Sequence, residues 1–306
     1  MSSRSGNGAF ADPTLGTHGN GAGEEPLLRL GGMALRNGLL IHGPRAWAAA
    51  ARTGDGRIEV SSGPKPVFSR GRLGSTPLLR GPLRLAEAFA VVPLARRSLP
   101  AARLPIEDPR VLVVGFATAV VSGAIRRLGR TTTSRGRATL REGVIAILGV
   151  LPAAAALRDR DLAAYHGVEH KAIGAYERRS LDPADAPKEH ERCGSNLIAP
   201  LLALSVAGQL VTERLFRDPG PLPRACAALV SISGAVELFA YAERRPDSPL
   251  GQAIHSIGHQ IQRLFSTREP TPEQLEVGSA ALREILRAEA ELAANVQSPD
   301  PAADTL

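Results

Sequence analysis

Four apolar blocks, Val111–Ile125, Gly143–Leu157, Leu197–Val211 and Ala225–Ala242, dominate the pattern of hydrophobic and polar positions along the chain. Each is apolar all round rather than along one 3.6-residue stripe, as expected of helices that meet lipid or other helices on every side. The first three hold about 15 uncharged residues each, against the roughly 20 needed to cross about 30 Å of hydrocarbon. Arginines and polar residues flank them and can snorkel to the headgroups. Small residues inside them, among them Gly115, Gly149, Gly208 and Gly234, allow close helix packing without aromatics. The pattern predicts four transmembrane helices in a membrane domain over residues 106–245. A soluble helical bundle is the alternative.

The rest of the chain has a different texture. Residues 26–80 carry brief apolar runs (LLRLGG, GLLIHGP, AWAAAARTGDGRIEVSS, PVFSRG) broken by Gly, Pro and Asp-Gly. They predict a small β-rich N-terminal module with hairpin turns at Asn37-Gly38 and Asp55-Gly56, whose simplest role is a structural cap. Residues 81–105 hold a shorter apolar stretch with Pro93 inside and Arg96-Arg97 at its end, which suits an interfacial helix. Residues 246–294 read as helical again, and Thr271-Pro272-Glu273-Gln274 is a capping signature for a C-terminal cytosolic helix running to about Ala294. The Gly-, Ser- and Pro-rich tail 1–25 and the tail 295–306 are expected to be disordered. The fold class is a mainly α membrane protein with a small sheet in front.

Composition narrows the partners. Aromatics are 4% of the 306 residues, which argues against an aromatic-rich soluble core. The net charge of +7 suits nucleic acid or anionic lipid, but no Lys/Arg run is interleaved with aromatics, so membrane lipid ranks above nucleic acid. The two cysteines, Cys193 and Cys226, exclude a disulfide framework and fit a reducing compartment. The N-terminus lacks an apolar core of signal-peptide length. Basic residues counted near the span ends place the histidine segment and both termini in the cytoplasm, although the loop Arg126–Arg141 carries six arginines. The expected location is the cytoplasmic membrane, multi-pass.

Candidate chemistry gathers in Tyr165–Cys193, YHGVEHKAIGAYERRSLDPADAPKEHERC. His166 and His170 are four apart, one helical turn, so two imidazoles can reach one metal ion. Glu169 lies about 60° round that helix from His166, placed to act as a base on metal-bound water. Glu177 returns to nearly the same face, and His190 and Cys193 form an H-x-x-C pair. Imidazole and thiolate together select Zn²⁺, or another divalent transition metal, over magnesium and calcium. H-x-x-E-H also matches an inverted zinc-protease pattern, yet a thiolate ligand is more typical of closed structural sites. A metal-dependent hydrolase with Glu169 as base, and a non-enzymatic membrane protein with a metal or polar staple, therefore both stay open. A transporter is a third reading, with no internal repeat to support it. Glu237 is an acid inside the fourth block, where ionisable groups are costly and tend to be paired or functional. His255 and His259, again four apart, are either a second metal pair or a partly exposed helix face.

Three stretches, GGMALRNGLLIHGPRAWAAAARTGDGRI, YHGVEHK…AYE…HERCGS and STREPTPEQLEVGSAAL, together resemble the YqhQ-like family of bacterial membrane proteins, a family of unknown function. The resemblance covers roughly residues 30–290 and implies a multi-pass membrane protein with a metal-dependent activity. By position, His166, Glu169, His170, Glu177, His190, Cys193 and Gly194 match the family's central motif, and Glu237 matches an acid in its last span. The first stretch departs from the family at Asn37 and His42, where an acidic residue and an arginine are the family's pattern.

Overall fold

A computed structural model describes residues 27–69, 71–129, 134–180, 182–216 and 219–297. The expected tail 1–25 lies outside these residues.

Strands β1 (Gly31–Leu35), β2 (Gly38–His42), β3 (Ala46–Arg52) and β4 (Ile58–Pro64) form an antiparallel meander in the order β1-β2-β3-β4. Leu35 pairs with Gly38, so the first tight turn is Arg36-Asn37, one residue earlier than the Asn-Gly signal suggested. Gly38 is needed as the first residue of β2, because a side chain there would run into the backbone carbonyl of Ala50. Asn37 instead spends its amide on long-range bonds. Nδ2 donates to the carbonyls of Arg52 and Ala101, and Oδ1 accepts from the Arg103 N–H, each at 2.9 Å. The second turn falls where expected, with Gly56 at φ +87°. In the run PVFSRG, the described residues Pro66–Ser69 do not form a strand. The N–H groups of Phe68 and Ser69 both donate to Glu87 Oε1 at 2.6 Å, a carboxylate partner in place of a neighbouring strand.

The sheet is more than a cap. Leu39, Ile41, Ala46, Ala48 and Ala50 face Leu162, Tyr165, Val168 and Ile285, while Leu40, Trp47, Ala49 and Ala51 face Val91, Ala95 and Leu99. Both faces are covered, so β2 and β3 read as continuous apolar runs. After a short turn α1 (Arg72–Ser75), helix α2 (Arg80–Ser98) supplies the second of these layers, with Pro93 accommodated inside it.

Four helices then match the four apolar blocks: α3 (Pro109–Leu128), α4 (Arg135–Ala156), α6 (Ile198–Leu215) and α7 (Pro221–Arg244). Each is long and apolar enough to cross a membrane. No residue of α3 is buried, and Phe116 is 74% exposed, the surface expected where lipid is the neighbour. At the α3–α4 turn, Arg126 and Arg141 both bond the Glu142 carboxylate at 3.1 Å, and Arg141 also pairs with Glu213 of α6. Between α4 and α6 lies α5 (Arg160–Glu177), and after α7 come α8 (Pro249–Ile261), a π-turn (Gln262–Ser266) and α9 (Pro272–Gln297). The start of α9 is the capping box anticipated: Thr271 N–H donates to Gln274 Oε1 at 3.0 Å and Gln274 N–H to Thr271 Oγ1 at 3.4 Å. It runs three residues past the expected Ala294. The chain is a mainly α membrane protein in which α5, α8 and α9 join the sheet at one end of the bundle.

Candidate metal centre

Helix α5 is capped by Asp159, whose Oδ1 accepts from Asp161 N–H at 3.0 Å, while Oδ2 takes the Arg36 guanidinium of the β1–β2 turn at 2.9 Å. It is buried on nearly every side between sheet and α9, so the polar residues on it meet partners from other segments of the chain rather than water. Gly167 lets the segment after the π-turn lie directly on the helix, where Arg268 N–H donates to Ala163 O at 2.9 Å.

That close approach fixes the histidines. His166 Nδ1 lies 2.7 Å from Ser266 O, and His170 Nδ1 lies 2.6 Å from Lys188 O. A carbonyl can only accept, so each ring presents Nδ1–H to it and turns Nε2 the other way. The Nε2 atoms converge with Cys193 Sγ, all within 4.8 Å of one another. Cys193 stands at the start of the turn leading into α6, and its Sγ is 3.5 Å from His166 Nε2. The Glu169 carboxylate comes to 3.5 Å from His170 Nε2. Its other side rests against Gly32 of β1, where a Cβ would stand 2.6 Å from Glu169 Cγ.

Burial sets the charges. It raises the Glu169 carboxyl, lowers the His170 imidazole well below its ordinary value, and pushes the Cys193 thiol up to about 11. Neutral imidazoles are what a cation requires, and a bound divalent ion reverses the preference of a thiol and a carboxyl. His170 Nε2 is buried without a hydrogen-bond partner among the described residues, the state expected of an atom whose partner is a ligand. The donor set fits a divalent transition ion.

The remaining candidates fall outside this convergence. Glu177 is turned to His190, whose Nε2 it meets at 2.9 Å, and to Arg192. His190 Nδ1 accepts from Arg192 N–H at 3.2 Å, so both ring nitrogens are engaged. The His190 ring stacks behind His170 with centroids 5.8 Å apart. The five-residue set of the sequence thus separates into three converging donors and an outer carboxylate–imidazole pair. Glu237 pairs with Arg80 of α2, with Oε1 2.8 Å from Arg80 Nε, rather than with the histidine segment. Sequence reasoning missed Gln262, which is fully buried. Its Oε1 accepts from His190 N–H at 2.7 Å, and its Nε2 donates to His190 O at 3.0 Å and Ser195 Oγ at 2.8 Å. Its place on an amphipathic face, seven residues after His255, was the available signal.

Fold and cradle together define a multi-pass membrane protein with a buried imidazole–thiol cluster at the junction of its bundle and its sheet. A family model matches residues 130–288, just over half of the chain, and the chain belongs to that family, described as protein of unknown function (DUF1385). It is also similar to a Bacillus subtilis (strain 168) protein named "Uncharacterized protein YqhQ", 30% identical over 133 residues. The match covers 41% of this chain and 41% of that protein, so the chain spans about two fifths of the relative's length. No solved structure matches the chain.

Proposed function

We propose that the chain is a membrane-embedded, metal-dependent hydrolase that holds one divalent transition ion, Zn²⁺ by its donor set, on His166, His170 and Cys193. The convergence of three donor atoms within 4.8 Å, with both imidazoles oriented from behind by backbone carbonyls, is the observation that carries this reading. A hydrogen bond from the ring's other nitrogen to a carbonyl is how ligating histidines are oriented. The ion, when bound, supplies Lewis acidity and lowers the pKa of water at its open position. Glu169 is the base: its carboxylate stands beside the donors, and Gly32 leaves it the room to do so. The His190–Glu177 pair supports His170 from the far side.

A second reading is a structural metal staple without catalysis. It is favoured by the thiol donor and by how tightly Gln262 stitches the Cys193 loop to the end of α8. Metal content of the purified full chain, by elemental analysis, tests both. His166→Ala and His170→Ala should lose the ion. Glu169→Gln should keep it yet fail to rescue the phenotype of a deletion strain, because an amide cannot accept a proton. Full rescue by Glu169→Gln would reject the hydrolase and leave the staple. Cys193→Ser should cost metal and folding together in a closed structural site, and be milder in an open one.

A further inference from the structure

Helix α8 carries two histidines outside the cradle just described. His255, Gly258, His259 and Gln262 follow one another at i, i+3, i+4 and i+7, so they share one face of the helix. Two of the four show what that face meets. Gly258 lies so close to Asn196 that a side chain there would collide with its amide oxygen, and Ser195 Oγ donates to the Gly258 carbonyl at 3.4 Å. Gln262 clamps His190 and Ser195. The face therefore abuts the 190–196 loop that holds Cys193, while Ser256, Ile257 and Gln260 on the opposite side are exposed.

On that inward face the histidine nitrogens are idle. Both ring nitrogens of His255 and Nε2 of His259 are shielded from solvent, yet none has a hydrogen-bond partner among the described residues. An imidazole nitrogen removed from water and left unpaired is unfavourable. Three such atoms on two rings one turn apart point to a shared ligand. We propose that α8 carries a second cation site, with His255 and His259 as its two imidazole ligands, facing the Cys193 loop beside the first cradle. Two neutral imidazoles select zinc, copper, nickel or cobalt over magnesium or calcium. With no thiolate, this site binds more weakly and exchanges faster than the first. The proposal does not depend on what the first cradle binds.

Co²⁺ uptake by tag-free full chain in detergent, with metal counted per chain and the thiolate-to-cobalt absorption recorded, separates the two sites. The wild type should take up two ions. His255→Gln/His259→Gln should take up one and keep the thiolate absorption, and each single variant should weaken the uptake of the second ion while melting at the wild-type temperature. A wild type that stops at one ion, unaffected by the α8 variants, overturns the second site and leaves the first reading standing. Loss of the thiolate absorption in the α8 variant also overturns it, because His259 would then serve the first ion. One ion without thiolate absorption, lost on changing α8, upholds the second site and sinks the first reading. No uptake at all rejects both.

Discussion

Gly32 and Glu169 occupy one space: the carboxylate of α5 fills the volume that a methyl group on β1 would claim, with Glu169 Oε1 only 2.7 Å from the position of such a Cβ. The sheet thereby shapes the cradle although it contributes no donor. In Gly32→Ala the Glu169 side chain must move, at a cost of about 1–3 kcal/mol. The expected outcome is a lower melting temperature and loss of deletion-strain rescue with metal content retained, measured on the same preparation.

Gln262→Ala removes the clamp on the Cys193 loop. It leaves the buried N–H and C=O of His190 without their side-chain partner, a loss of about 1–3 kcal/mol. As a support for the donors rather than a donor, Gln262 should also set affinity, and its removal should weaken metal binding ~10- to 100-fold. Thermal melts and competitive chelator titration read the two effects separately. Unchanged affinity would show that the loop holds its place without the clamp.

His42 of β2 is half-buried with its Nδ1 shut off from solvent, and desolvation lowers its imidazole from 6.5 to about 4. Above pH 6.5 the ring is neutral in both folded and unfolded chains, so it imposes no pH dependence. Between 6.5 and 4 the unfolded chain binds the extra proton, and stability falls as pH falls. Below 4 the loss levels off at about 3 kcal/mol. His170 and His190 are lowered in the same direction, so His42→Gln should flatten the acid limb of a melting-temperature profile in part. An identical profile in the variant would contradict this.

The four apolar helices should keep the chain in the membrane pellet on alkaline extraction, since α3 has no protein partner to cover most of its surface. Glu142, with its side chain 1% exposed between two arginines, should be intolerant of Ala. Removal leaves Arg126 and Arg141 short of a buried counter-charge, a change expected to cost about 3–5 kcal/mol. Detergent-solubilised melts of Glu142→Ala and Glu142→Gln measure it.

What could be read in the sequence follows from where the information lies. The spans were legible because lipid demands apolar surface all round, and the start of α9 because Thr271 and Gln274 cap locally. The His166–His170 spacing was legible because a helix makes four-apart residues neighbours. The partners that orient those rings are main-chain carbonyls of Lys188 and Ser266, which leave no trace in residue identity. Glu177 and His190 were grouped with the donors on spacing alone, whereas Arg192 competes for Glu177 and draws the pair aside. Glu237 was expected to be paired or functional because an ionisable group in a span is costly. It is paired, but Arg80 comes from a helix whose approach to α7 depends on packing at Gly81, which lies against Val236.

The His166 ring takes its orientation from Ser266, 100 residues further along the chain, and α6, α7 and α8 are synthesised in between. During biogenesis the cradle is therefore incomplete until the last two spans have entered the bilayer and the segment before α9 has left the ribosome. A chain truncated before residue 266 would hold all four apolar helices and the Lys188 carbonyl behind His170, but would lack the carbonyl that orients His166.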